Sequence, residues 1–188
     1  IQQHAMAGKF DRQRADDLNL STKERAMLAR GEDVTTADGT TLESAWFRGG
    51  ERAPVSVLVS GDTAAMPPAW TDEVRPTLLI HEATFLDEQQ DKADEHQHST
   101  ATGAVASALA VGAESLALTH YSNRIKSTEE PVSEAKSAGE ALPVVALNDN
   151  DRMVVDDEGR VHHLSWTETG WASLNLSLIH ISEPTRQK

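Results

Sequence analysis

Four short segments hold the residues able to do chemistry. Ser60-Gly61-Asp62-Thr63 places a carboxylate just beyond an apolar, β-branched run. His81-Glu82-Ala83-Thr84-Phe85 sets an imidazole and a carboxylate at the end of a second such run. Leu118-Thr119-His120-Tyr121-Ser122-Asn123-Arg124 ends a third with an imidazole, and a guanidinium follows. His98-Ser99-Thr100 lies between the last two, directly ahead of an Ala-rich stretch. Carboxylates and neutral imidazoles are ligands for divalent metals, and a histidine within reach of substrate is a general acid or base. Arginine grips phosphate through forked, charge-assisted bonds.

Each residue also has a plainer reading. An isolated Gly-Asp-Thr is ordinarily a turn, a lone strand-end histidine is more often structural, and Arg124 alone reads as half of a surface ion pair. At a helix N-terminus the dipole disfavours protonation of His98. A nearby anion, such as a scissile phosphate, opposes that shift and suits the imidazole to act as an acid.

The elements that must position these residues alternate along the chain. Val55–Ser60 reads as a buried strand bounded by Pro54 and Gly61, and Leu78–Ile80 and Leu116–Thr119 as two more. Ala101–Val111 reads as a buried helix, capped by Ser99 or Thr100 and stopped by Gly112. Val132–Leu142 reads as a second, between Pro131 and Pro143. Val144–Leu147, Met153–Val155 and Val161–Leu164 are further strands, the last two joined as a hairpin across Asp157-Glu158-Gly159. Upstream, Asp11–Leu20 is a short polar helix or loop, and the Ser21-x-x-Glu24 capping box with Gly31 brackets a short helix. A turn at Ala37-Asp38-Gly39 then leads into an extended Thr40–Phe47. Strand, helix, strand, helix, strand is the pattern of an α/β layered fold.

Composition narrows the chemistry. No cysteine is present, so thiolate ligands and disulfides are excluded and a metal falls to His, Asp or Glu. No apolar run reaches the roughly 18 residues of a membrane span, and the first residues have no signal-peptide pattern. The expectation is a cytoplasmic protein with no membrane partner. The net charge of −13, with 17 Lys+Arg against 30 Asp+Glu, argues against broad phosphate binding. It equally fits a solvation adaptation of a salt-loving source, with nucleic acid held by a local basic patch. The first residue is Ile1, and the segment from about residue 173 to 188 fits no preceding element. It reads as a non-native tail after a domain fragment spanning residues 1–172.

In order and spacing, the Gly61-Asp62-Thr63, His81-to-Phe85, His98-Ser99-Thr100 and Leu118-to-Arg124 segments resemble the motif series of ribonuclease Z. Gly8-Lys9-Phe10-Asp11, Leu28-Ala29-Arg30-Gly31-Glu32 and Asp38-Gly39 are also similar to that family, so the resemblance spans about Gly8 to Leu164. It implies the second α/β half of a four-layer αβ/βα metallo-β-lactamase fold. It also implies a two-zinc hydrolase that removes 3′ trailers from precursor tRNA, a homodimer in its intact form. Asp62 would bridge both zinc ions and His120 would bind the second. His98 would protonate the leaving 3′ oxygen, with His81 and Glu82 as the shell that orients it, and Arg124 would hold a phosphate.

Departures from the family are informative. The His-x-His-x-Asp-His motif and a further ligand histidine are absent, and His96-Gln97-His98 is followed by Ser99-Thr100 in place of the spaced Asp-His. Two ligands cannot complete a two-metal site, so the fragment alone is expected to be inactive. Ala64-Ala65-Met66 stands where an arginine is expected, and Ile125 where the family has tyrosine. Asn148-Asp149-Asn150-Asp151 lacks the glycine and closing glutamate of a calcium loop and reads as an acidic turn. A sister hydrolase of the same fold, arylsulfatase-like or a cyclic phosphodiesterase, would use the same Asp62 and His120, and a non-catalytic truncated module is the remaining alternative. Every hydrolase reading requires the carboxylate after Val55–Ser60 and the imidazole closing Leu116–Thr119 to converge.

Overall fold

The computed structural model describes residues 1–3, 8–50, 52, 54–65, 75–156 and 158–174. Asp157, Met66 and residues 175–188 of the tail, on which some of the sequence expectations fall, lie outside the described residues. The chain divides into two compact units, one of residues 4–54 and one of residues 1–3 with 55–188.

The smaller unit is built from α1 (Arg12–Asp17), α2 (Thr22–Ala29) and a two-stranded ladder of β2 (Val34–Thr35) and β3 (Thr41–Leu42). Asp11 caps α1, and both halves of the Ser21–Glu24 capping box form on α2. The expected extension of Thr40–Phe47 holds only for Thr41–Leu42, because Ser44–Phe47 coils into a 3-10 turn. Tertiary packing overrides the β-propensity there. Asp33 Oδ1 accepts the Ser44 amide at 2.8 Å, and Phe47 is fully buried with Ala15, Leu20, Leu28, Val34 and Leu42.

The larger unit centres on a five-stranded sheet in the order β1-β4-β5-β6-β7. β1 (Gln2–Gln3) pairs antiparallel with β4 (Val55–Val59). The other neighbours run parallel through β5 (Leu78–Glu82), β6 (Leu116–Thr119) and β7 (Val144–Ala146). β5 runs on past Ile80, since His81 pairs with Leu118 and Glu82 with Thr119. α3 (Gln90–His96) and α4 (Ala101–Ala110) lie between β5 and β6 in the chain, and α5 (Glu129–Ala138) between β6 and β7.

α5 begins earlier and ends earlier than the sequence suggests. Pro131 is accommodated in its first turn, where no amide partner is needed, and the helix stops at Gly139. α3 has no counterpart in the sequence reading: of its residues only Ala93 is buried, so it shows no apolar periodicity.

Side-chain alternation divides the sheet. Leu79, Leu116, Leu118 and Val144 pack with Ala101, Ala104, Val105, Ala108 and Ala135 of α4 and α5. Leu78, Ile80, Ala117 and Val145 point the other way. There they meet Met153, Val155 and Val161 from β8 (Arg152–Val155) and β9 (Val161–Thr167). β9 also pairs with β10 (Gly170–Ser173) to complete a three-stranded antiparallel sheet. The turn before β8 is tied to β9 through Asp151, whose side chain is nearly covered. It accepts His163 Nε2 at 2.7 Å, the Asn148 amide at 2.9 Å, and the Ser165 hydroxyl.

Candidate metal and general-acid site

The chemistry-bearing residues gather at the C-terminal ends of β4, β5 and β6, where parallel α/β sheets place their sites. β4 delivers Asp62 through the Ser60-Gly61 turn, with Gly61 at φ +65°. β6 delivers His120, itself at φ +57°, so the chain turns sharply as it leaves the strand. Asp62 Oδ2 and His120 Nε2 lie 3.6 Å apart, and both side chains are exposed. That separation is too long for a hydrogen bond. It fits two ligands of one tetrahedral zinc, whose bonds of about 2.0–2.2 Å set neighbouring donors roughly 3.3–3.5 Å apart.

Glu82 is the centre of the buried half of the site, with only 1% of its side chain exposed. Its Oε1 accepts the Thr63 amide at 2.8 Å and His98 Nδ1 at 2.6 Å. Its Oε2 accepts the Thr84 hydroxyl at 2.6 Å and the Thr84 amide at 3.2 Å. Burial alone would raise its pKa, but the hydrogen bonds from Thr84, the Ser99 backbone, His98 and Thr63 together hold it below the ordinary glutamate value. The carboxylate is therefore ionised and its lone pairs are occupied.

His98 is set by α3 and by the next helix. A left-handed turn at Gln97 ends α3 and the His98 amide bonds back to Ala93 at 2.8 Å. Thr100 then caps α4 through the Gly103 amide. The Phe85 amide donates to the Ser99 carbonyl at 3.2 Å, which ties this loop to the segment after β5. Because a carboxylate only accepts, His98 Nδ1 carries the proton of the Glu82 bond, and Nε2 of the partly exposed ring is the nitrogen that Glu82 does not engage. The His98 and His120 rings stack with centroids 5.5 Å apart, and Phe85 meets His98 edge-on.

His81 points to the helical side of the sheet and is fully buried. Its Nδ1–H donates to the Glu82 carbonyl at 2.8 Å, and burial pushes its pKa below the ordinary histidine value. The direct bond to His98 comes from Glu82. Arg124 is exposed and forms no ion pair among the described residues. Glu82, His98 and His120 also form a group whose ligand atoms lie within 4.8 Å of one another. The sequence pattern does not single out Thr84, whose hydroxyl touches all three of these side chains. Only its place inside the His81-to-Phe85 motif hinted at such a role.

Known proteins match this chain over part of its length. A ribonuclease Z of Synechococcus sp. strain CC9605 is 39% identical over 125 residues, which is 66% of this chain and 39% of the relative. One from Halobacterium salinarum is 35% identical over 138 residues, 72% of this chain and 45% of the relative. One from Myxococcus xanthus is 41% identical over 97 residues, 52% and 32% respectively. The chain is a homologue of the C-terminal part of ribonuclease Z.

It spans less than half the length of each of these ribonuclease Z relatives. No family model matches. Among solved structures, the metallo-β-lactamase fold protein YhfI from Bacillus subtilis is similar at 23% identity over 49% of this chain and 36% of its own, with a TM-score of 0.43. The short form of human tRNase Z is 35% identical over 45% of this chain and 30% of its own, with a TM-score of 0.34. No helix among the described residues is long and apolar enough to cross a membrane.

Proposed function

We propose that this chain supplies the acid-bearing half of a zinc-dependent endoribonuclease that cuts the 3′ trailer from precursor tRNA. The observation that carries this reading is the 3.6 Å approach of Asp62 Oδ2 to His120 Nε2, at the spacing of two ligands on one metal ion. Glu82 lies close by, but its lone pairs are already taken, so Asp62 and His120 are the better ligands. The remaining ligands belong to the part of the relatives' length that this chain does not cover, within a four-layer metallo-β-lactamase architecture. Zinc, when bound, activates water and offsets charge on the attacked phosphodiester.

His98 gives a proton from Nε2 to the departing 3′ oxygen, so that the mature tRNA leaves with a 3′ hydroxyl. Glu82 holds the opposite nitrogen at 2.6 Å and stabilises the positive ring before transfer. His81 supports this arrangement from beneath, by fixing the Glu82 carbonyl. Arg124, exposed and without an ion pair among the described residues, would hold a backbone phosphate. The net charge of −13 makes such local cations more important, since the protein as a whole repels a polyanion.

The test joins this chain to the N-terminal part of a ribonuclease Z relative. Zinc affinity and cleavage of a precursor tRNA are then compared with those of the chain alone. Tight zinc binding and correct 3′ cleavage in the joined protein alone support the reading. Two tightly bound zinc ions on the separate chain, or hydrolysis of aryl sulfates or cyclic phosphodiesters in place of tRNA, would refute it.

A further inference from the structure

We propose that Thr84 is a positioning residue whose hydroxyl selects the tautomer of His120 and so presents a bare Nε2 towards Asp62. The inference rests on the metal reading of Asp62 and His120 given above.

The supply of protons around Thr84 sets the direction of each bond. A threonine hydroxyl has one hydrogen to give and lone pairs that accept. Thr84 Oγ1 lies 2.6 Å from Glu82 Oε2, 3.1 Å from the His120 carbonyl, and 2.7 Å from His120 Nδ1. The first two partners are acceptors only, and the ionised carboxylate is the nearer and stronger of them. Turning the hydroxyl hydrogen to the imidazole would leave two oxygen lone pairs opposed at 2.6 Å in a buried setting, which is costly. The hydrogen therefore goes to Glu82, and the hydroxyl oxygen accepts from His120 Nδ1–H. A neutral ring protonated at Nδ1 has its free lone pair at Nε2, the atom that faces Asp62 at 3.6 Å.

Thr84 is 8% exposed, and its surroundings fix it further. Its amide donates to Glu82, and its carbonyl accepts the Ser122 amide at 3.1 Å from the segment following His120. The hydroxyl is thus held between the buried carboxylate and the imidazole by backbone bonds on both sides of the residue. Fixing a ligand ring through its far nitrogen is a common way to raise metal affinity. Glu82 thus holds His98 directly and reaches His120 through the Thr84 hydroxyl, so the acid and the ligand share one anchor.

The experiment reads the imidazole nitrogens of His120 by long-range ¹H–¹⁵N NMR in the metal-free 188-residue chain, assigned with a His120→Gln variant. The wild type should show His120 as the Nδ1–H tautomer. Thr84→Val should move it towards Nε2–H with shift dispersion retained, and Thr84→Ser should restore it. An Nε2–H tautomer in the wild type overturns the proposal without any variant, as does a Thr84→Val ring unchanged from wild type. In the joined protein Thr84→Val should weaken zinc binding by roughly 10–100-fold, with recovery in Thr84→Ser. Failure of the wild-type joined protein to bind zinc would sink the functional reading while leaving the tautomer result to judge Thr84.

Discussion

The Glu82 carboxylate meets the His98 ring at 2.6 Å, and the carboxylate is buried while the ring is 23% exposed. One partner is thus shielded from water and the other is partly open to it. In the joined enzyme, His98→Ala should slow precursor tRNA cleavage by roughly 10²–10⁴-fold while zinc stoichiometry is unchanged. Single-turnover kinetics with parallel metal analysis measures both. Loss of zinc in this variant would make His98 a ligand.

Asp62→Ala in the same protein should remove metal binding and cleavage together, because no other described carboxylate with free lone pairs lies beside His120 Nε2. Isothermal titration with zinc decides it. Retained tight binding would show that Glu82, His98 and His120 hold the ion.

The site was legible in the sequence where it depends on strand ends. An apolar run followed by a polar ligand is visible without coordinates, so Asp62 and His120 could be named and their meeting anticipated. What escaped was the support. α3 buries only Ala93 and has no amphipathic stripe, yet its left-handed turn at Gln97 aims His98. β10 pairs Trp171 with Trp166 on an exposed face, so it lacks the buried alternation that marks a strand. Thr84 and Glu82 act through bonds to residues 14 to 36 positions away, and no local pattern encodes such partners.

Asp151 gives a prediction on acid stability. Burial raises its pKa, but the Ser165 hydroxyl, the Asn148 amide and His163 lower it further, leaving a net depression. A carboxylate with a lowered folded-state pKa contributes stability above its unfolded value of about 3.9 and loses it as pH falls towards the native value. The chain should therefore unfold at acid pH with a component that Asp151→Asn removes. At pH 7 that variant should be less stable by about 1–3 kcal/mol, measured by urea denaturation. A variant with an unchanged midpoint at both pH values would contradict this.

Gly103 lies inside α4, where alanine would ordinarily add about 0.5–1 kcal/mol of stability. A Cβ there would sit 2.6 Å from Ser99 Oγ and 3.0 Å from the Ala65 Cβ. Gly103→Ala should instead destabilise the chain by about 1–3 kcal/mol and broaden the His98 ring signals. A rise in melting temperature would disprove it.

Asp62, Glu82 and His120 come from three neighbouring parallel strands, and none of these pairings is local in sequence. Such non-local ladders form slowly, after the chain entropy of long loops has been spent. A partly collapsed chain holds each of these side chains but not their meeting point. Metal uptake by the joined protein would accordingly distinguish the native sheet from its folding precursors, and by mass action zinc would pull the equilibrium towards the completed ladder.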